Sequence, residues 1–553
     1  MREFMRKKSS KIIAAILAAV IALGGCSGTP QTSNNSGGNT SQSSGSTKQE
    51  GSSAGGDEVI TLTFFDKNTG DTFTNAVAEE ITRRTGIMIE IQQPTGDPEE
   101  KLNLMLASGD LPDIVLMDRR STIVSRYISG GALVPLNDLI DQYGPDIEEM
   151  YGDILAKSRF TDGQNYYLNN WYGLDTDPDR GVSMRMDILE EFGYGEKAKN
   201  GEYFTQTEFI DLLTQFKSTY PTIDGQTSIP FTVNGDGMSA SNAGSLSIFK
   251  GMYGIKNYYE TEDHQIMFDV KDPRYLDMIK FINRLYRDGL LDKEWIVNKE
   301  QSYKQKVSSG AVFAAGNFPS DENRLFREKY GEDTNTQFYM FRVVADGADP
   351  DNTTFSPRST LGWDAIGITV TNKYPVETMK LINFLVSEEG QYLLMWGIEG
   401  EHWDMVDGQR IPRPETLQGF QDDWSEYAKE TGIRKWTWFI KNGYGSDGSP
   451  YDMAVKYERD DITLHNIESM EGSVWDVSPY DNLGPEGGTA EALMEQKLFD
   501  IMDKAFADMT YADSEAEVEQ LYQALLKEME VNQAETIEAI YTKTYNERLS
   551  LWE

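Results

Sequence analysis

The chain has 553 residues and one cysteine, so no disulfide framework can hold it and its stability must come from packed cores. Its histidines, His264, His402 and His465, show neither metal-ligand spacing nor a partner arrangement for nucleophilic catalysis. Basic residues are scarce. Lys and Arg number 51 against 90 Asp and Glu, a formal net charge of -39. That excludes nucleic acid as a partner, because no basic stripe exists to meet phosphates, and it implies a well-solvated exterior. The sequence has no phosphate-binding loop and no internal repeat. Gly51-Ser52-Ser53-Ala54-Gly55 has nucleophile-elbow spacing, but no strand precedes it and we read it as chance. Asp and Glu are so abundant that paired carboxylates for glycoside hydrolysis carry no information. The one long apolar run, Ile12 to Leu23, is shorter than the ~20 residues a spanning helix needs.

That run is nonetheless informative. Arg2, Arg6, Lys7, Lys8 and Lys11 precede it, and Leu23-Gly24-Gly25-Cys26 closes it. The segment resembles the signal and lipobox of bacterial lipoproteins, which implies a signal peptide over 1–25, lipid transfer to Cys26 and attachment to a membrane without crossing it. Residues 26–57 add a Ser-, Gly-, Thr- and Asn-rich stretch that cannot bury a core. It reads as a tether spanning roughly 30 Å and suggests a Gram-positive cell surface.

The folded body starts with a strand-helix-strand-helix-strand pattern over residues 59–118. Val59 to Phe65 is β-branched and aromatic. Phe73, Val77 and Ile81 recur at helical spacing, and Gly86 is placed to end that helix. Ile87 to Ile91 is a second strand. Asp97-Pro98-Glu99-Glu100 carries the signals of a helix start, and Asp113 to Met117 is a third strand. Right-handed crossovers give a parallel sheet, and if the third strand lies beside the first the order is 2-1-3. Such a sheet binds ligands at the carboxyl ends of strands one and three, here Asp66-Lys67-Asn68 and Met117-Asp118-Arg119.

The roughly 500 residues of the body exceed one comfortable core, so two or three lobes are expected. The stretch Trp171 to Gly181 reads as a crossing to a second lobe, and Phe338 to Val343 as a crossing back. Val518, Leu521, Tyr522 and Leu525 keep helical spacing behind the capping box Ser514-Glu515-Ala516-Glu517.

Several segments in this order resemble the family 1 extracellular solute-binding proteins, to which maltose-binding protein belongs. They are Arg84-Thr85-Gly86-Ile87, Ala107 to Ile114, Gly130 to Leu136, Ser308 to Val312 with Gly316-Asn317-Phe318, and Ala365 to Thr369 before Phe384 to Gly390. Gly397 to Trp403, Asp407-Gly408 and the long tail are similar to the large oligosaccharide-binding lipoproteins of Firmicutes. The resemblance implies an α/β, two-lobed periplasmic-binding-protein-like fold of type II. Each lobe would be a mostly parallel sheet flanked by helices, with an added helical C-terminal region. The expected division is an N-terminal lobe of 58–172 plus 342–394 and a C-terminal lobe of 173–341 plus 395–553. A calcium loop common in relatives is reduced here to Tyr220 to Ser228, with one carboxylate, too few oxygens for calcium. Asp175, Asp177 and Asp179 alternate, but Gly181 and Met186 break the calcium-loop pattern, so the stretch reads as an acidic hinge loop. No metal and no cofactor is expected.

Sugar recognition needs flat aromatic faces and planar polar groups. The aromatic candidates are Trp171, Phe318, Trp363 and Trp403; the polar ones are Asp66, Asp118, Arg185 and Glu401. Trp436 and Trp438 read as packing. The expected function is a monomeric, lipid-anchored extracellular binding protein of an ABC importer. It would close on an oligosaccharide and deliver it to the membrane permease, without catalysis. The competing readings are a surface glycosidase or polysaccharide-processing enzyme, and a sugar-sensing lipoprotein. The motif order and the lack of a placed catalytic constellation favour binding.

Overall fold

The computed structural model describes residues 59–68, 70–94, 96–235, 246–316, 323, 326–327, 331 and 336–552. The leader, Cys26, the tether and Phe318 lie outside the described residues. The first lobe opens with β1 (Ile60–Phe65), α1 (Ala76–Thr85), β2 (Ile87–Gln92), α2 (Pro98–Ser108) and β3 (Ile114–Asp118). Gly86 ends α1 in the left-handed region at φ 71. Asp97 accepts the Glu100 amide at 2.8 Å, with Pro98 at the first helical position, a cap worth about 1 kcal/mol.

The first sheet has the order β2-β1-β3, then the strand Asp364–Ile368, then β4 (Leu168–Asn170). Asp364–Ile368 runs antiparallel to both its neighbours, and the other strands share one direction. Apolar side chains cover both faces: Leu62, Phe64, Val77 and Ile81 pack on one, Phe65, Leu102, Val115 and Tyr127 on the other.

The second sheet sets Phe338–Phe341 beside β5 (Val182–Arg185), then Val312–Gly316 and Ile229–Val233. Here β5 is the antiparallel strand. Its large core includes Phe209, Phe231, Phe249, Trp295 and Phe313. Three long C-terminal helices, Ala490–Thr510, Glu515–Val531 and Ala534–Trp552, add Met502, Phe506, Tyr522 and Tyr541 to that core. Buried Asn283 donates to the carbonyls of Met509, Thr510 and Ala512 at 3.3, 3.1 and 2.7 Å. It thereby satisfies helix-end acceptors that would otherwise be orphaned.

The C-terminal half of the chain corrects one expectation. Residues 395–553 do not all join the second lobe. Trp403, Phe420, Trp436, Trp438, Ile440 and Met453 belong to the first core, and only from helix Asp461–Ser469 onward does the chain pack on the second sheet. The final helix touches both lobes. Ile537, Tyr541 and Tyr545 lie in the second core, while Trp552 packs against the first, under the Lys157 ammonium at 5.3 Å.

The chain thus passes between the lobes at 171–181, at 342–363 and between Tyr457 and Asp461. At the middle crossing, Ser356–Arg358 pairs in parallel with Val474–Asp476. Arg358 donates to the Asp177 carbonyl at 3.0 and 2.8 Å and lies 3.3 Å from the Asp175 carboxylate and 3.7 Å from that of Asp179. Arg459 pairs with the Asp177 carboxylate. The alternating aspartates therefore brace the hinge through arginines. Burial pushes the Asp177 carboxyl up from its ordinary value, and Arg459 pulls it down.

Candidate ligand-binding site

Strand direction decides what faces the gap between the lobes. In the first sheet, the carboxyl ends of β1, β3 and β4 and the amino end of Asp364–Ile368 make one edge, where Asp118, Asp364 and Asn170 sit side by side. In the second sheet, Val182, Gly316, Val233 and Phe341 make the corresponding edge. Both connections, from β4 to β5 and from Phe341 to Asp364, join these two edges, so the edges form opposite walls of the crevice, where open α/β sheets bind ligands.

Four of the sequence candidates meet on the first wall. Trp171 and Trp363 stack, with ring centroids 5.8 Å apart and planes at 17°. Trp363 is 45% exposed. Trp171 sits in the left-handed region at φ 54, which for a bulky side chain costs about 1–3 kcal/mol and persists only where the surroundings impose it. They do so here: Tyr172 exchanges backbone hydrogen bonds with Ile440 and Asn442 at 3.0 and 2.8 Å. Opposite it, Gly362 at φ 59 brings its backbone so close that a Cβ would lie 1.8 Å from the Asn170 carbonyl oxygen. The result is a double aromatic plate with one open side.

Asp66 is at this wall but is 3% exposed. Its carboxylate accepts from the Trp438 indole at 2.7 Å and the Asn68 amide at 2.8 Å, so it fixes the β1–α1 turn. Trp438 is buried with Phe64, Phe73 and Trp436, which agrees with a packing role. Asp118 is half-buried and accepts from the Arg120 amide at 2.9 Å. Three further residues of the two strand ends named from the sequence lie here, though they were not singled out as candidates: Lys67, whose ammonium is 2.8 Å from the buried Asp364 carboxylate; Asn68, which donates to Asp364 at 3.2 Å; and Arg119, which is held by Asp481 at 2.6 Å and by the Gly362 carbonyl at 3.0 Å. Their pairing with Asp364 and Asp481 was not readable from the sequence.

Three candidates fall elsewhere. Arg185 ends β5, and because β5 is antiparallel its end lies at the far edge, paired with Phe338; its guanidinium bonds Asp187 and the Gly310 carbonyl. Trp403 is 7% exposed. It donates to the Gly397 carbonyl at 3.0 Å and packs under Arg410, so its ring serves the first core. Glu401 lies in the exposed turn between helix Glu388–Trp396 and the hairpin Trp403–Pro412, on none of the strands that form the wall. The histidines do not converge: His264 meets Glu260, His465 meets the Ala198 carbonyl, and burial lowers the pKa of His402.

Two α/β lobes joined by several crossings, with strand ends and an aromatic plate lining the crevice between them, define a two-lobed ligand-binding protein. The chain belongs to the bacterial extracellular solute-binding proteins, whose family pattern matches residues 76–398. It is 26% identical over 250 residues to the fructooligosaccharide ABC transporter substrate-binding protein FusA of Streptococcus pneumoniae serotype 4, a match covering 42% of this chain and 44% of FusA. It is 22% identical over 451 residues to the polygalacturonan/rhamnogalacturonan-binding protein YtcQ of Bacillus subtilis, covering 80% of this chain and 84% of that one. An extracellular solute-binding protein from Bifidobacterium longum subsp. infantis shares the fold at a TM-score of 0.67 and 16% identity, covering 88% of this chain and 98% of that one.

Proposed function

We propose that this protein captures an oligosaccharide between its lobes and hands it to an ABC permease, held to the outer face of the cytoplasmic membrane by a lipid on Cys26. The observation that carries this reading is the Trp171–Trp363 plate at the crevice edge, with the strained backbone at Trp171. Pyranose and furanose rings present flat C–H faces that stack on such a surface, while hydroxyls take hydrogen bonds from planar polar groups beside it. Asn68 and Asp118 are exposed and half-exposed polar groups on this wall. Two relatives that bind carbohydrate by name support the same class. Closure about the hinge would bury the ligand, and the closed form would be the one the permease recognises. We read the site as one of binding without turnover, because the histidines are scattered and the wall carboxylates are engaged by Lys67, Trp438 and backbone amides.

The test is a thermal-shift screen of the full chain in mild detergent against neutral and acidic oligosaccharides, with product analysis on each hit. A ligand that binds only the folded state must raise the melting temperature. A shift with the sugar recovered intact supports the reading. Cleaved sugar would replace it with a hydrolase, and no shift with any sugar would remove carbohydrate as the ligand class. For the anchor, labelled palmitate should enter the wild-type chain in a Gram-positive host and fail to enter the Cys26→Ser variant.

A further inference from the structure

We infer that the Lys67–Asp364 pair is a charge filter that makes this crevice a site for neutral oligosaccharides and excludes uronates; the inference rests on the carbohydrate reading above. A uronate carboxylate is held most strongly by a cation with free N–H donors, above all a guanidinium presenting two in parallel. The cations of the first wall do not offer them. Lys67 is 2.8 Å from Asp364, whose side chain is fully buried while that of Lys67 is 18% exposed. Turning Lys67 toward a sugar would leave the Asp364 carboxylate buried without its counter-charge, which is strongly unfavourable. Arg119 has a side chain 4% exposed and is held by Asp481 and the Gly362 carbonyl.

Among the described residues of the facing wall, two arginines are likewise engaged. Arg342 donates to the Ser469 and Pro350 carbonyls at 3.1 and 3.0 Å, and Arg180 lies 3.5 Å from the Asp179 carboxylate. Beside these engaged cations stands Asp118, half-buried and in register with Asp364. It accepts from a neutral backbone amide, so it presents negative charge beside the aromatic plate. A carboxylate can accept two sugar hydroxyls but repels a second carboxylate at contact range. The remaining cation of this turn, Arg120, is exposed on the rim.

The experiment is calorimetric titration of the full chain with matched tetrasaccharides, β-1,4-galactotetraose and tetragalacturonate, alongside neutral fructo-, xylo- and malto-oligosaccharides. Binding of at least one neutral sugar with no binding of the uronate is the expected result. Asp364→Asn should then release Lys67 and raise uronate affinity about tenfold or more. Asp118→Asn, which leaves the buried pair intact, should raise it by a smaller factor and so keeps the test open should Asp364→Asn fail to fold. Added salt should improve any residual uronate binding, because screening relieves repulsion. Uronate binding at least as tight as that of every neutral sugar, weakened by salt, would overturn the filter and leave the carbohydrate reading intact; loss of that binding in Arg120→Ala would identify the cation responsible. Binding of no sugar of either class would overturn both.

Discussion

Replacing Trp363 separates the two things an aromatic residue can do at this wall. A tryptophan side chain carries about 200 Å² of surface, and 45% of this residue is exposed. A sugar lying on the open side therefore covers up to about 90 Å², worth about 2 kcal/mol at 25 cal/mol per Å². The covered remainder, on Trp171 and its surroundings, contributes at most ~3 kcal/mol to folding, an upper bound because the unfolded chain also buries surface. Trp363→Ala should then weaken sugar binding by about 1–2 kcal/mol, a factor of roughly 5–30 in Kd, and lower the denaturation midpoint. The control is Trp403→Phe. It removes a buried indole donor from the Gly397 carbonyl and should cost about 1–3 kcal/mol of stability with Kd unchanged for the folded fraction. Kd by calorimetry and stability by denaturant titration, on the same preparations, give both numbers. If Trp363→Ala binds within about twofold of wild type, or Trp403→Phe weakens binding as much, the assignment of the plate is refuted.

Three further outcomes follow from other sites. Glu80 accepts from Arg83 at 2.6 Å and from Arg84, and its pKa falls to about 2, the Arg83 hydrogen bond being the largest cause. Its folded value lies below the ordinary value of 4.5, so its stabilisation is present above that value and lost as pH falls toward about 2. The melting-temperature gap between wild type and Glu80→Gln should close over that window. Gly362→Ala would drive a methyl group into the Asn170 carbonyl at a positive φ; it should lower both melting temperature and sugar affinity, and a variant with wild-type values in both assays would show that the close approach is not needed. Asn283→Ala would leave the carbonyls of Met509, Thr510 and Ala512 without their donor. Its expected cost is about 2–3 kcal/mol in denaturant titration, with sugar affinity unchanged.

How much of this was legible depended on whether the signal was local. β1, β2 and β3, their 2-1-3 order and the caps at Asp97 and Gly86 followed from apolar runs and turn residues. Asp66 and Asp118 were named because they adjoin strand ends, Trp171 because it lies at the lobe crossing and Trp363 because it begins a strand, and the structure puts all four on the first wall. Arg185 was misplaced because the sequence does not state strand direction: the first strand after a crossing runs away from the crevice, so its last residue is the farthest from it. Trp403 and the segment up to Met453 were assigned to the wrong lobe because their contacts are remote in the chain. The Trp438–Asp66 hydrogen bond joins residues 372 positions apart, and no periodicity carries that information. Lys67 was read only as part of a strand end, and its pairing with Asp364 is again non-local.

The helix Ala534–Trp552 lies along the second core and ends on the first. Any rotation of one lobe against the other must therefore either slide Trp552 past Lys157 or bend the helix near Arg548, which holds the carbonyls of Pro479 and Asp481. The helix is thus a further link between the lobes beside the chain crossings, and under the closure proposed above the indole at its tip should report the movement as a change of fluorescence.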